Sequence, residues 1–167
     1  MSHVNHRAEA PKSTRCYVVT VSDTRTEEND RSGRAIVELL GQQGHDVAGK
    51  TIVPDDAARV RKILVEQISL PDIDAIITTG GTGISRRDGT YEVVANLLDK
   101  RIDGFGELFR SLSFEEIGPS AMLSRACAGI RRGTVIVSVP GSEHAVRLAM
   151  TKLILPELGH LVYEARR

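Results

Sequence analysis

The chain of 167 residues balances 22 Lys and Arg against 22 Asp and Glu, with 41% apolar and 26% charged residues. Such a composition describes one soluble domain, long enough to bury roughly two thirds of its unfolded surface without disulfides or a structural metal. The cancelled charge excludes a global field that would draw the chain to nucleic acid or to an anionic membrane, so any anion site must be local.

No apolar run approaches the roughly 20 residues that a membrane span needs. The start, Met1-Ser2-His3-Val4-Asn5-His6-Arg7, lacks the apolar segment of a signal peptide, so a cytoplasmic protein with no membrane and no nucleic-acid partner is expected. Cys16 and Cys127 form no Cys-x-x-Cys pattern and read as buried small hydrophobes. The histidines at 3, 6, 45, 144 and 160 have no metal-ligand spacing.

Residues 1–14 show no periodicity and read as a flexible leader, so the fold is expected over 15–167. Cys16 to Val21 reads as a strand. Ser32 to Gln43 reads as a helix through Ile36, Leu39 and Leu40, stopped by Gly44. Asp46 to Val53 returns to strand character, and Asp56 is placed to cap a helix that buries Val60, Ile63, Leu64 and Ile68. Ala75 to Thr79 is the next strand, followed by a helix from Tyr91 to Lys100 capped by Thr90. Phe105 to Phe114 and Ala121 to Ala128 suggest two short helices. Thr134 to Val139 is a last core strand, leading to a long helix that Pro156 should kink or divide. This βαβαβα series predicts a single-domain three-layer α/β/α sandwich with a mostly parallel sheet, its ligand crevice at the carboxyl ends of the strands.

One segment carries the chemistry. Ile76-Ile77-Thr78-Thr79-Gly80-Gly81-Thr82-Gly83-Ile84-Ser85-Arg86-Arg87-Asp88 runs from a buried strand into a glycine-rich turn that closes on a carboxylate. Its glycines let backbone N–H groups approach a phosphate with no Cβ in the way, and Thr78, Thr79, Thr82 and Ser85 add hydroxyls. A plain tight connection would use the same residues. Two better-known phosphate loops are excluded: a Walker loop needs Gly-Lys-Ser/Thr where Gly83 is followed by Ile84, and a dinucleotide fingerprint needs glycine or alanine where the chain has Arg86.

If the strands run parallel, three segments end at one sheet edge: Thr20, Ser22 and Asp23; Gly80 to Asp88; and Pro140, Gly141 and Ser142 at a helix start that offers a second anion seat. Asp55, from Val53-Pro54-Asp55-Asp56, adds a carboxylate to the rim. Asp56 reads as a helix cap, whereas Asp55 beside Asp88 reads as a pair of metal ligands.

These segments resemble the MoaB/MogA family of molybdenum cofactor biosynthesis proteins, whose fold also occurs in gephyrin. The resemblance rests on Thr20-Val21-Ser22-Asp23-Thr24, Asp30-Arg31-Ser32-Gly33, Val53-Pro54-Asp55-Asp56, Thr79-Gly80-Gly81-Thr82-Gly83, Arg87-Asp88-Gly89-Thr90, Met122-Leu123-Ser124-Arg125 with Ala128-Gly129-Ile130, and Pro140-Gly141-Ser142. Gly104-Phe105-Gly106-Glu107-Leu108-Phe109-Arg110 is closer to the MoaB branch. Relatives commonly read Thr-Pro-Glu where this chain has Thr90-Tyr91-Glu92, a departure that leaves the aim of Glu92 open.

The resemblance implies molybdopterin as substrate and, in the adenylyltransferase members, transfer of AMP from Mg-ATP to its terminal phosphate. Asp55 and Asp88 would be the catalytic acids and Mg²⁺ ligands. Ser22, Asp23, Gly80, Gly81, Thr82, Gly83, Ser124, Pro140, Gly141 and Ser142 would bind substrate and nucleotide, with Arg87 or Arg125 neutralising charge. A non-catalytic molybdopterin carrier or scaffold is the alternative. The apolar run from Gly104 to Ile117 lies outside the βα alternation and suggests a homo-oligomer, for which the resemblance implies a trimer or hexamer, working with other proteins of the pathway.

Overall fold

In the computed structural model, which describes residues 8–167, most runs of β-branched residues become strands and most 3.6-period runs become helices. The order is β1 (Arg15–Val21), α1 (Arg31–Gln42), β2 (Asp46–Val53), α2 (Ala57–Ile68), β3 (Ala75–Thr79), α3 (Thr90–Leu97), β4 (Lys100–Arg101), α4 (Asp103–Ile117), β5 (Cys127–Arg131), β6 (Thr134–Val139), α5 (Glu143–Ala149) and α6 (Leu155–Arg166). The strands form one six-stranded sheet in the order β2-β1-β3-β6-β5-β4. β2, β1, β3 and β6 are parallel, while β5 and β4 run antiparallel to their neighbours. The fold is the expected α/β architecture with a mostly parallel sheet.

Because strand side chains alternate between faces, the sheet feeds two cores. Val18, Ile77, Val137 and their neighbours pack with Ile36, Leu40, Phe109, Val146, Ile154 and Leu158. Val19, Ile76 and Ile136 face the other way, against Val60, Leu64, Val94 and Leu97 of α2 and α3. Each large side chain so buried contributes about 1.5–3 kcal/mol of transfer free energy. Cys16 and Cys127 are buried as expected, and burial pushes both thiols up to about 11. No helix among the described residues is long and apolar enough to cross a membrane.

The structure corrects several sequence expectations. Ala121 to Ala128 is not a helix: a 3₁₀ turn spans Gly118–Leu123, and the chain then extends into β5. β5 and β6 are joined by a tight hairpin with Arg132 at φ 49° and Gly133 at φ 81°, and paired positive φ values suit the twist of a two-residue turn. Asp99 stabilises the left-handed arginine by accepting from the Arg132 amide at 2.8 Å. Thr90 does not cap α3; Gly89 precedes the helix, and the Thr90 hydroxyl is buried inside it without a hydrogen-bond partner. The last helix is divided by a π-helical turn, Met150–Ile154, that absorbs the missing Pro156 donor.

Of the expected leader, residues 1–7, including His3 and His6, lie outside the described residues. The rest, though mostly exposed, is anchored before Arg15. Thr14 is buried, its carbonyl accepts from Asp46 N at 2.9 Å, and the Pro11 carbonyl lies directly against Gly159.

Candidate functional site

Chain direction alone brings the site together. β1, β3 and β6 are adjacent and parallel, so the residues after Thr20, Thr79 and Val139 emerge at one edge. β1 connects outward to β2 while β3 connects toward β6, which makes this edge a topological switch point. A cavity of about 630 Å³ opens there, lined by Ser22, Asp23, Arg25, Asp55, Gly80 to Gly83, Asp88, Ser124, Pro140 and Gly141 among others. Eleven of the twelve expected site residues therefore share one cavity, counting Thr82 within the glycine run. Ser142 does not line it; its hydroxyl accepts from Ala145 N at 3.2 Å and caps α5.

Glycine is required at the turn for two separate reasons. Gly80 has φ 101°, and a Cβ there would fall on the Val21 carbonyl oxygen; Gly81 has φ 70°, and a Cβ would fall on Thr90 Oγ1. The Gly80 amide is taken by Val139 O at 3.0 Å, which locks the turn to β6 and leaves the cradle to the amides from Gly81 onward. Not every hydroxyl faces the crevice. Thr79 Oγ1 donates to Pro140 O at 2.8 Å, Ser85 Oγ donates to Asp88 Oδ2 at 2.6 Å, and Thr78 is buried in the sheet.

The carboxylates differ in how they are held. Asp88 Oδ2 accepts from both the amide (2.8 Å) and hydroxyl (2.6 Å) of Ser85. Asp23 bridges two loops, accepting from Asp55 N at 3.1 Å and from Arg87 Nη2 at 2.6 Å. Asp55 is the least satisfied: Oδ1 is buried with no hydrogen-bond partner. Burial, then the nearby Asp88 and Asp23 charges, raise its pKa against the opposing influence of the Gly89 amide and Arg87. Asp56 instead caps α2, accepting from Arg59 N at 2.9 Å.

A buried carboxylate oxygen without a donor, in a wall short of positive charge, fits a hard cation. Asp55 and Asp88 are the two residues that would hold it. The described residues contain no cluster of three or more His, Cys, Asp or Glu arranged around a metal, so the remaining coordination would fall to substrate oxygens and water.

Sequence reasoning missed three groups. Arg25 is the one basic side chain on the cavity wall among the described residues, whereas Arg87 and Arg125, expected to neutralise charge, do not line it. Asp30 caps α1 through Gly33 N at 3.0 Å and also accepts from Thr20 Oγ1 (2.7 Å) and Lys50 Nζ (2.8 Å). Burial raises its pKa most, yet the bonds from Lys50, Thr20 and Gly33 together outweigh it and hold the carboxyl below its usual value. Third, a further cavity of about 440 Å³ lies beyond Ser124, between Tyr91, Arg101, Arg110 and Met122. The Asp-x-x-Gly spacing signals the cap, but nothing in the local sequence signals Lys50 or the second cavity.

A family model described as a probable molybdopterin binding domain matches residues 17–160. The chain belongs to this family. Molybdenum cofactor biosynthesis protein B of Bacillus cereus is 53% identical over 168 residues, covering 100% of this chain and 99% of that protein. A crystal structure of a molybdenum cofactor biosynthesis protein B superposes with a TM-score of 0.91 at 54% identity, covering 95% of this chain and 99% of that one. The tungsten cofactor synthesizing protein MoaB from Pyrococcus furiosus gives 0.86 at 43% identity, covering 95% and 100%. All three carry the B designation, in keeping with the MoaB-like segment at Gly104 to Arg110. Ser124 is shared between the main cavity and the second, arginine-rich recess, so one face of the site continues under α4.

Proposed function

We propose that the protein serves molybdenum cofactor biosynthesis in the cytoplasm by binding molybdopterin in the 630 Å³ cavity and transferring AMP from Mg-ATP to its terminal phosphate. The observation that carries this reading is Asp55, which lines a cavity rimmed by Asp88 and a glycine turn and whose buried Oδ1 has no hydrogen-bond partner. Held by Asp55 and Asp88, Mg²⁺ would supply positive charge to the triphosphate oxygens.

The substrate phosphomonoester is largely dianionic at neutral pH, with a second pKa of about 6, and needs no strong base to attack phosphorus. Its oxygen forms a bond to the α-phosphorus of ATP while the bond to pyrophosphate breaks, leaving AMP on the pterin phosphate. The chain's task is therefore positioning and charge. Amides from Gly81 to Gly83 would hold one phosphate group, Pro140 and Gly141 shape the wall beside Gly80, and Ser124 orients the pterin. Arg25 offsets charge at the rim in place of Arg87, which is already bound to Asp23.

The same charge pattern favours a second reading, a molybdopterin carrier without turnover. A cavity with one arginine on its wall, and with Arg87 and Arg125 both committed to carboxylates, has little to offer two polyanions at once. Calorimetric titration of Mg-ATP into the wild type and Asp88→Asn, with an AMP-transfer assay on molybdopterin, separates the two. Mg-dependent binding weakened by the substitution, together with transfer, supports the enzyme; pterin binding without either supports the carrier.

Assembly into a homo-oligomer, as trimer or hexamer, is part of this proposal. Leu108, Phe114, Ile117, Met122 and Leu123 are about half exposed or more, an apolar surface along α4 and the turn after it.

A further inference from the structure

Asp88 sits on neither a helix nor a strand, and Ser85, which donates to its Oδ2 through amide and hydroxyl, lies on the same loop, so the loop itself must be tied from outside. Its carboxylate lies over Gly83, where a Cβ would come within 2.7 Å of Oδ2. The loop from Gly83 to Asp88 thus folds back on itself, and its two ends carry carbonyls that meet a single side chain. Arg125 Nε donates to Gly83 O at 3.0 Å and Arg125 Nη2 donates to Asp88 O at 3.1 Å. The Arg125 amide donates to Thr82 O at 3.0 Å.

The guanidinium is itself fixed from two further directions. Glu92, in the first turn of α3, accepts from Nη1 and from Nη2, the latter at 3.3 Å. The Tyr91 ring lies beneath it, 4.9 Å from Cζ. The Arg125 bond is the largest influence on Glu92 and lowers its pKa, keeping the carboxylate ionised. Only a flat fork with several donors can meet two carbonyls, a carboxylate and an aromatic face together, and a lysine ammonium cannot. Arg125 does not line the main cavity, although Asp88 and Ser124 do.

We propose that Arg125 is a positioning residue: supported by Tyr91 and Glu92, its fork ties both ends of the Gly83 to Asp88 loop and so directs the Asp88 carboxylate into the cavity. The task given to Asp88 rests on the adenylyl-transfer reading; the clamp does not. Tyr91 and Glu92 thereby acquire a shared role, the ring as a seat for the arginine and the carboxylate as its anchor.

The test compares wild type, Arg125→Ala, Arg125→Lys, Glu92→Gln, Asp88→Asn and the Arg125→Ala/Asp88→Asn double variant. Hydrogen exchange across residues 82–90 reads the clamp, and AMP transfer from Mg-ATP to molybdopterin reads its consequence. Exchange at the Ser85 and Asp88 amides should quicken about tenfold or more in Arg125→Ala and Arg125→Lys, and less in Glu92→Gln. Transfer by Arg125→Ala should show kcat lowered about 100-fold with KM for Mg-ATP within about threefold. In the Asp88→Asn background, read in single turnover with enzyme in excess, the Arg125→Ala change should cost nothing further in residual transfer. Unchanged exchange in both Arg125 variants overturns the clamp, and an equal loss in both backgrounds overturns action through Asp88. If Arg125→Ala fails to fold, Arg125→Lys and Glu92→Gln carry the comparison. A wild type that transfers no AMP refutes the functional reading alone, and the exchange data still decide the clamp.

Discussion

The parallel half of the sheet, β2-β1-β3-β6, differs from its antiparallel edge, β5-β4 with α4, in where it sends its loops. Parallel strands all finish on one side, so glycines and carboxylates far apart in sequence converge on a polar cavity. The antiparallel edge returns the chain to the opposite side and covers itself with a helix whose outer face keeps Leu108, Phe114 and Ile117 more than half exposed. One half collects polar groups by direction of travel; the other leaves apolar surface exposed. Arg125 lies within the antiparallel edge, between α4 and β5, and its fork reaches back from there to the glycine loop.

The largest expected effect belongs to the parallel half. Asp88→Asn should lower AMP transfer about 1,000-fold or more, by the loss of a group that acts mainly in the transition state, with pterin affinity and melting temperature nearly unchanged. Transfer at near wild-type rate would remove Asp88 from the chemistry. Gly80→Ala should destabilise the fold by about 3 kcal/mol, seen as a lower denaturant midpoint, because positive φ and the Val21 carbonyl both oppose a Cβ.

At the antiparallel edge, Phe114→Asp should weaken self-association about tenfold or more in sedimentation experiments without lowering pterin affinity, since a charge replaces an apolar contact. An unchanged assembly would place the interface elsewhere. Gly104→Ala, where a Cβ meets nothing within 4 Å, should stabilise α4 by about 0.5–1 kcal/mol, opposite in sign to Gly80→Ala.

Asp55 sharpens the comparison through pH. Its pKa is raised in the fold, so the unfolded chain releases this proton first, and stability falls as pH rises from the ordinary carboxylate value through the raised one. Asp55→Asn should therefore melt higher than wild type at neutral pH without ligand, the gap closing on acidification below the ordinary value. Mg-ATP should raise the melting temperature of wild type and not of Asp55→Asn. A variant less stable at neutral pH would show that the carboxylate has a structural partner.

Most of the parallel half was legible in the sequence. Strand and helix periods, Asp56 before α2, Gly44 after α1 and the glycine loop with Asp88 all follow from local chemistry: alternation, caps and sites where only glycine fits. Once parallel topology was inferred, the convergence of Asp23, Asp55, Gly80 and Pro140 followed from direction alone. β4 and β5 were not legible. Ala128-Gly129-Ile130 has no alternation to mark a strand, and Arg132-Gly133 is not one of the strong hairpin signals, being held in its left-handed turn by a carboxylate at Asp99.

What the sequence by itself determined was the order of elements and the residue types gathered at one edge, because these depend on periods and turns a few residues long. What only the tertiary structure decided was the pairing of charges: Lys50 with Asp30, Arg87 with Asp23, Arg125 with Glu92, and Arg25 left on the cavity wall. The physical reason is reach. A long arginine or lysine side chain selects its partner from loops 20 to 64 residues away, as the Asp30–Lys50 and Asp23–Arg87 separations show, and no local pattern records that selection.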